Sequence, residues 1–557
     1  MQWIRVSSFL TFDRVIRLRT TRISTLLSAT SICRDWMLGR RWFSSQSEDP
    51  RLVEFVDYLE TLKNYEKLGV PKGAGTDSDD GFDLGRMRRL LHSLGNPHLE
   101  FKAVHIAGTK GKGSTAQFIS NILRKQGYTV GCYTSPHLRS IRERMSLGSN
   151  GEIVSVETLN NLFYGVKSIV DQSIQLEKGS LTHFEVLTAL AFTLFAQQKV
   201  DIAVVETGLG GARDATNVLP GTSIAASVIT TIDEEHLSAL GGSLESIAIA
   251  KSGIIKEGCP VVIGGPFLSQ IEQILCEKAT MMGSPLISAC DSGKKSTLKS
   301  FLTKDGRIYQ LCNIFIECPD MHMFAELLDV KLQMLGRHQL QNSITAACTA
   351  LVLRNQGWEI SGESIHAGLE DAFLLGRSQF LSNKEAELLG ISGTSVLIDG
   401  AHTEAAVVSL ANMVQMTHMD YKSAVVVAMA SDKNHSAFAN QLLSGLRPDI
   451  VVFTETSIAG SRSRAMTVSS LKEIWTQLAK KLEIDFQDLG MIKHKNQLPP
   501  DVNKSRVCFV GCKSESVKVP ITLASALLRC RMGHGHGVII VTGSLHIVGA
   551  VLGCLDY

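Results

Sequence analysis

Short apolar runs bounded by Gly or polar clusters alternate along this chain with longer segments of helical spacing. Val53, Phe55, Val56, Tyr58, Leu59 and Leu62 predict one amphipathic helix over 52–68, stopped by Gly69. A Gly/Ser/Asp loop covers 71–82, and a second helix with Arg86, Arg88 and Arg89 is expected over 84–94. Strand–helix units then begin. A strand over 101–107 runs into a Gly-rich turn at 108–115, followed by a helix to Gln126 that Gly127 stops, and by a strand over 128–134. The segment 181–198 predicts a helix with a continuous apolar face (Phe184, Leu187, Leu190, Ala191, Leu194). Strands are expected at 201–205, 224–232 and 260–263. The pattern pauses around 375–391 and resumes with strands at 396–398, 424–429, 450–453 and 538–541.

Strands alternating with helices specify parallel sheets with right-handed crossovers, and the pause divides them into two α/β domains, 50–378 and 385–557. There is no internal repeat and no low-complexity segment. Polar residues recur at the carboxyl ends of the expected strands: Glu206, Asp233 with His236, Asp399, Ser431-Asp432, Thr454-Glu455 and Thr542-Gly543-Ser544. Ligands of open α/β sheets bind at that edge.

Composition narrows the function classes. The 557 residues are 44% hydrophobic and 20% charged, which excludes a largely disordered chain and leaves ample core. The net charge of +2 argues against a large nucleic-acid footprint. That charge is unevenly distributed. Residues 1–47 hold eight Arg, no Lys and two acids, which leaves 48 basic and 52 acidic side chains in the remainder. An Arg-rich, Ser-rich, acid-poor leader is expected to be a transit peptide for the mitochondrial matrix, ahead of plastid or cytosol. The twelve Cys show no C-x-x-C spacing, so no zinc site is read, and reduced thiols are expected. The uncharged stretch 533–555 has the length of a membrane span. Because His534, His536, Thr542-Gly543-Ser544 and His546 interrupt it, it reads as strand, turn and helix of a folded domain, with no membrane partner.

The strongest chemical signal is Gly108-Thr109-Lys110-Gly111-Lys112-Gly113-Ser114-Thr115, between a strand and a helix. Glycines let backbone N–H groups turn around phosphate, and a helix N-terminus adds its positive end. Lys112 is placed to reach the terminal phosphates, and Ser114 or Thr115 to meet Mg²⁺. The loop departs from the common G-x-x-x-x-G-K-[ST] pattern: Gly108 lies three residues before Gly111, and Gly113 separates Lys112 from Ser114.

Together with the residues that follow it, this loop resembles the folylpolyglutamate synthase/dihydrofolate synthase family, relatives of the Mur ligases. The further motifs, in family order, begin with Tyr133-Thr134-Ser135-Pro136-His137-Leu138 with Arg142-Glu143-Arg144, and Glu206-Thr207-Gly208-Leu209-Gly210-Gly211 with Asp214-Ala215-Thr216-Asn217. Next come His236, Lys251-Ser252-Gly253-Ile254, and Gly336-Arg337-His338 with Asn342. The series closes with Leu375-Gly376-Arg377, Asp399-Gly400-Ala401-His402 and Thr542-Gly543-Ser544-Leu545. The resemblance spans roughly residues 52–557 and implies a Mur ligase-like α/β fold, a P-loop ATPase domain followed by a smaller Rossmann-like domain.

It further implies an ATP-dependent ligase that phosphorylates a substrate carboxylate and lets the amine of L-glutamate attack the acyl phosphate. By the same resemblance Lys110, Gly111, Lys112, Gly113, Ser114, Thr115, Asn342, Arg377 and Asp399 bind ATP. Ser135 and Glu206 hold one Mg²⁺ and His236 a second, with K⁺ as an accessory cation. Lys251 carries CO₂ as a carbamate, and Lys112 and His402 join it as catalytic residues. Arg213 and Asp214 face the substrate, although the family's Arg directly after the Gly-Gly pair is Ala212 here. Where family members often have Asn-Pro after Asp-Gly-Ala-His, this chain has Thr403-Glu404. Ser431-Asp432-Lys433-Asn434-His435 is a candidate glutamate loop, while His183 and Glu185 are read as structural.

The N-terminal elements Asp57-Tyr58-Leu59-Glu60, Phe82 to Leu91 and Leu94-Gly95-Asn96-Pro97 resemble members that use dihydropteroate. A leader on such a protein implies a eukaryote that makes folate, such as a plant, whose dihydrofolate synthase is mitochondrial. The expected reaction is addition of L-glutamate to 7,8-dihydropteroate by a monomer; the alternative is extension of the glutamate tail of tetrahydrofolate. A P-loop ATPase that is not a ligase has no use for Lys251, and a mere folate binder has no use for Lys112 or Glu206.

Overall fold

The computed structural model describes residues 49–76, 82–417, 422–457, 464–492, 505–532 and 537–555. The Arg-rich segment 1–47, His534 and His536 lie outside the described residues.

The first apolar runs become strands β1 (Lys102–Ala107), β2 (Val130–Tyr133), β3 (Met145–Leu147), β4 (Glu152–Ile153), β5 (Ile202–Glu206), β6 (Ile224–Ile229), β7 (Val261–Ile263) and β8 (Leu286–Ser288). They form an eight-stranded sheet in the order β4-β3-β2-β5-β1-β6-β7-β8. The run from β2 to β8 is parallel, and β3 and β4 extend it antiparallel. Buried on both faces, the parallel strands read as continuous apolar runs rather than alternations. One face packs against α1 (Lys112–Gln126), and the other against α2 (His183–Gln197). Two later helices complete the parts near the site, α3 (Leu244–Ser252) and α4 (Arg337–Asn355).

Between β8 and α4 lies a three-stranded antiparallel sheet that the α/β pattern does not announce. It consists of β9 (Lys294–Lys304), β10 (Arg307–Cys318) and β11 (Met323–Leu332). Its signal is alternation: Cys312, Ile314 and Ile316 face the core beneath α4 while their neighbours face out.

The second α/β half is a seven-stranded sheet ordered β12-β13-β18-β14-β15-β17-β16. Its strands are β12 (Gln379–Phe380), β13 (Ser395–Ile398), β14 (Lys422–Val427), β15 (Ile450–Phe453), β16 (Phe486–Met491), β17 (Val507–Gly511) and β18 (Gly537–Thr542). All its pairs are parallel except β12 with β13. The last helix is α5 (Leu545–Gly553). No helix among the described residues is long and apolar enough to cross a membrane.

One expected element divides. The single helix over 52–68 is two helices, Val53–Glu60 and Tyr65–Leu68. Asn64 takes an extended conformation and its side chain accepts from the Glu66 N–H at 3.0 Å, while Lys63 bridges to Thr182. A side-chain cap inside an apolar pattern restarts the helix and breaks its axis.

Candidate active site

The site grows from the junction of β1 and α1. Gly111 is the N-cap of α1 with φ +83, and a Cβ there would lie 2.5 Å from Asn342 Oδ1. Glycine is therefore required twice, for conformation and for space. No side chain caps α1, so the first N–H groups of the helix have no side-chain acceptor. Lys112 and Ser114 open this helix, and Thr115, fully buried, has a hydroxyl without a hydrogen-bond partner. Free N–H groups, a Lys and an orphaned hydroxyl on one helix turn fit a phosphate group.

Neighbouring strands bring distant residues to this turn. The register pairs Ile106 with Glu206, so the phosphate loop and Glu206 leave the sheet side by side. Glu206 is 4% exposed. Its Oε1 lies 3.8 Å from Lys112 Nζ, and its Oε2 accepts from the Ser135 N–H at 3.2 Å. Burial raises its pKa, opposed by Lys112, the Ser135 N–H and Arg377. Lys112 also donates to the Thr109 carbonyl at 3.3 Å, and Lys110 pairs with Asp233 at 3.5 Å.

Lys251, near the end of α3, is 4% exposed and donates to the Gly108 carbonyl at 2.8 Å. Burial, with Lys112 nearby, lowers its pKa to about 7. The shift favours the neutral form of the amine, which is the nucleophilic one. His236 sits in the left-handed region at φ +53. Partial enclosure, Lys251 and Lys112 hold its pKa below the usual value, and Glu235 opposes them.

Helix α4 reaches the loop by a polar chain the motifs do not reveal. Asn342 Nδ2 donates to Gln339 Oε1 at 2.9 Å, and Gln339 Nε2 donates to Ser114 Oγ at 3.1 Å. The Gln sits three residues before Asn342 on the same helix face, which is the one signal of it in the sequence.

From the linker between the two halves, Arg377 lies within electrostatic reach of Glu206 and His402. Asp399 Oδ2 accepts from the Ser378 N–H at 2.7 Å and its hydroxyl at 3.1 Å, and Oδ1 accepts from the Ala401 N–H at 2.8 Å. Asp399 thereby fastens the linker beside Arg377. His402 Nδ1 bonds the Gly400 carbonyl at 2.8 Å. In the candidate glutamate loop, Asp432 pairs with Arg464 at 3.2 Å, and Lys433 acts on the rings of both His236 and His402.

Asp214 departs from the expected substrate-facing position. It is 3% exposed, and its carboxylate accepts from the Leu209 N–H at 2.7 Å, the Thr216 N–H at 3.1 Å and the Thr216 hydroxyl at 2.5 Å. A buried carboxylate must collect such donors, so Asp214 turns inward and shapes the Gly-Gly loop. Arg213 donates to the Phe82 carbonyl at 3.5 Å. His183 is also buried, and Glu185 closes a capping box with Thr182 and pairs with Arg86 at 2.9 Å.

No group of three or more His, Cys, Asp or Glu placed to hold a metal ion is found among the described residues. The donors present, Glu206 with Ser135 on one side and His236 on the other, suit Mg²⁺, which keeps waters and phosphate oxygens as most of its ligands.

Comparison with known proteins bears on the family and the fold. Residues 106–350 match the Mur ligase middle domain. The Bacillus subtilis dihydrofolate synthase/folylpolyglutamate synthase is 34% identical over 368 residues, covering 64% of this chain and 78% of that protein. The Saccharomyces cerevisiae dihydrofolate synthetase is 30% identical over 373 residues, covering 67% of this chain and 80% of that protein. The crystal structure of Thermotoga maritima folylpolyglutamate synthase superposes with a TM-score of 0.68 at 29% identity, over 90% of this chain and 96% of that one. The fold agrees over 90% of the chain and the sequence over about two thirds of it: this chain belongs to the folylpolyglutamate synthase/dihydrofolate synthase family of ATP-dependent acid–amino-acid ligases.

Proposed function

We propose that this chain is a dihydrofolate synthase, joining L-glutamate to 7,8-dihydropteroate with release of ADP and phosphate. The observation that carries the ligase chemistry is the uncapped start of α1 beside Lys112 and the buried Glu206, with Lys251 reaching Gly108. A substrate carboxylate and a triphosphate repel each other, so the reaction needs charge neutralisation and positioning more than covalent help. Lys112 and the N–H groups of α1 stand where phosphate charge would collect, and Arg377 supplies a cation from the linker between the halves. Asn342 and Asp399 are the candidate nucleoside contacts. Ser135 and Glu206 would hold one Mg²⁺ and His236 another, and the ions would neutralise phosphate charge when bound.

Lys251 enters as a partly neutral amine. Loss of one proton from the ammonium frees its lone pair; attack on CO₂ would form an N–C bond as one C=O π pair moves onto oxygen, and loss of a second proton to solvent would leave an anion beside two metal sites. That change removes the repulsion an ammonium would bring.

Dihydropteroate is favoured over tetrahydrofolate by the N-terminal elements around Asp57 and 82–97, and by likeness to a yeast dihydrofolate synthetase. Likeness to folylpolyglutamate synthases supports tail extension as the second reading. The Arg-rich segment 1–47 supports a mitochondrial address. The test is glutamate-dependent phosphate release by the purified protein with each acid in turn. Turnover with dihydropteroate and little with tetrahydrofolate is expected. Turnover with tetrahydrofolate alone reverses the assignment.

A further inference from the structure

The two α/β halves meet at a loop that also borders the phosphate site. The segment 135–140 is fixed at several points. The Ser135 N–H donates to Glu206, as above. Fully buried Arg144 donates from Nε to His137 Nδ1 at 2.9 Å. The Glu143 carboxylate accepts from the N–H groups of Leu138 at 2.7 Å, Arg139 at 3.1 Å and Ser140 at 2.9 Å. Leu138 therefore has little freedom to move relative to Ser135.

Leu138 is also where the second half docks. Its side chain packs against the core of the seven-stranded sheet, together with Leu375 of the linker. That core includes Ile547, Val548 and Val551 of α5. The approach is close enough to require glycine on both sides. A Cβ on Gly549 of α5 would lie 2.7 Å from the Leu138 carbonyl oxygen, a backbone atom that cannot swing away. A Cβ on Gly376, whose φ is +68, would strike Val548 and come within 3.3 Å of Leu138 Cδ1.

We propose that Leu138 is a positioning residue: seated against Gly549 and Val548, it sets the register of the second α/β half on the phosphate site. Glu206, Ser135, Leu138 and α5 then form one continuous chain of contacts, so the place of groups carried by the second half, His402 among them, relative to α1 is set through Leu138. Such positioning matters because a misplacement of about 1 Å costs ligation on the order of 100-fold. The inference rests on the ligase reading of this site.

The test uses the full-length chain. Leu138→Ala, Leu138→Met and Gly549→Ala are compared with wild type for kcat, for KM of glutamate, and for affinity toward a fluorescent ATP analogue. Leu138→Ala and Gly549→Ala are expected to lower kcat about 10- to 100-fold with nucleotide affinity unchanged. Leu138→Met, which conserves volume, is expected to recover most of the rate. If Leu138→Ala fails to fold, Gly549→Ala decides from the other side of the contact. Rates within twofold of wild type for Gly549→Ala, nucleotide affinity falling in parallel with kcat, or a Met variant as slow as the Ala variant would each overturn the proposal. A wild-type chain that ligates glutamate to neither acid overturns instead the ligase reading, and the role of Leu138 with it.

Discussion

At the carboxyl edge of the eight-stranded sheet, α1 begins on Gly111, which has no side chain to accept from the helix. At the same edge of the seven-stranded sheet, helices begin on Thr403, Asn434, Thr467 and Ser544. Each accepts from an N–H of its own first turn, at 3.4, 3.1, 3.2 and 3.3 Å. Both edges are built from parallel strands feeding helices. They differ in who holds the helix donors. A capped helix has already satisfied them and gains about 1 kcal/mol of stability from doing so. An uncapped one leaves them for a ligand. The sheets thus share an architecture, and one N-cap residue separates a phosphate site from junctions whose helix donors are already used.

The comparison can be broken most directly at Lys112. Lys112→Ala should lower kcat/KM for glutamate-dependent phosphate release by at least about 100-fold, with the melting temperature shifted by no more than about 2 °C. A large thermal shift would mean that Lys112 holds the fold rather than phosphate. Next are two buried carboxylates eight residues apart, Glu206 and Asp214. Glu206→Gln should reduce kcat about 100-fold and leave stability unchanged or slightly raised, because a desolvated charge is removed. Asp214→Asn should instead cost about 1–3 kcal/mol in urea unfolding, because the donors of Leu209 and Thr216 lose a charged acceptor and meet an amide donor. Equal effects on both quantities in both variants would erase the distinction between open and saturated carboxylates. At the second edge, Thr467→Ala should cost about 1 kcal/mol and leave the KM for ATP unaltered.

A smaller effect concerns the loop between the two edges. Arg144 pairs with Glu66 at 2.7 Å, which contributes to lowering the Glu66 pKa from 4.5 to about 2. The folded state prefers the charged form, so this contribution is complete above pH 4.5 and is lost as pH falls toward about 2. Urea midpoints measured across the acid range should decline less steeply in Glu66→Gln than in wild type.

Much of this was legible in the residues. The strands read as strands because a buried parallel sheet needs unbroken apolar runs. Gly127 stops α1 in a left-handed conformation, as a C-terminal Gly commonly does. The phosphate loop was visible despite its odd spacing, because strand, glycines, Lys and hydroxyls stood in order. Less visible were the break at Asn64, where one side chain outweighs an apolar stripe, and the antiparallel sheet of β9 to β11, whose alternation lies outside the α/β rhythm. The role of Asp214 could not be read at all. Its neighbours in sequence allow it to face a substrate; only its burial among three donors turns it inward.

By itself, then, the sequence determined what is local: the strand–loop–helix units, the glycines at positive φ, the capped and uncapped helix starts, and through its motifs the family. These follow from dihedral preferences and nearest-neighbour hydrogen bonds, which act within a few residues. The tertiary structure decided the rest. It placed Glu206 beside Lys112, carried Lys251 to a carbonyl 143 positions earlier in the chain, and seated Leu138 on Gly549. Sheet register and helix packing fix those neighbours, and both depend on how the whole core closes.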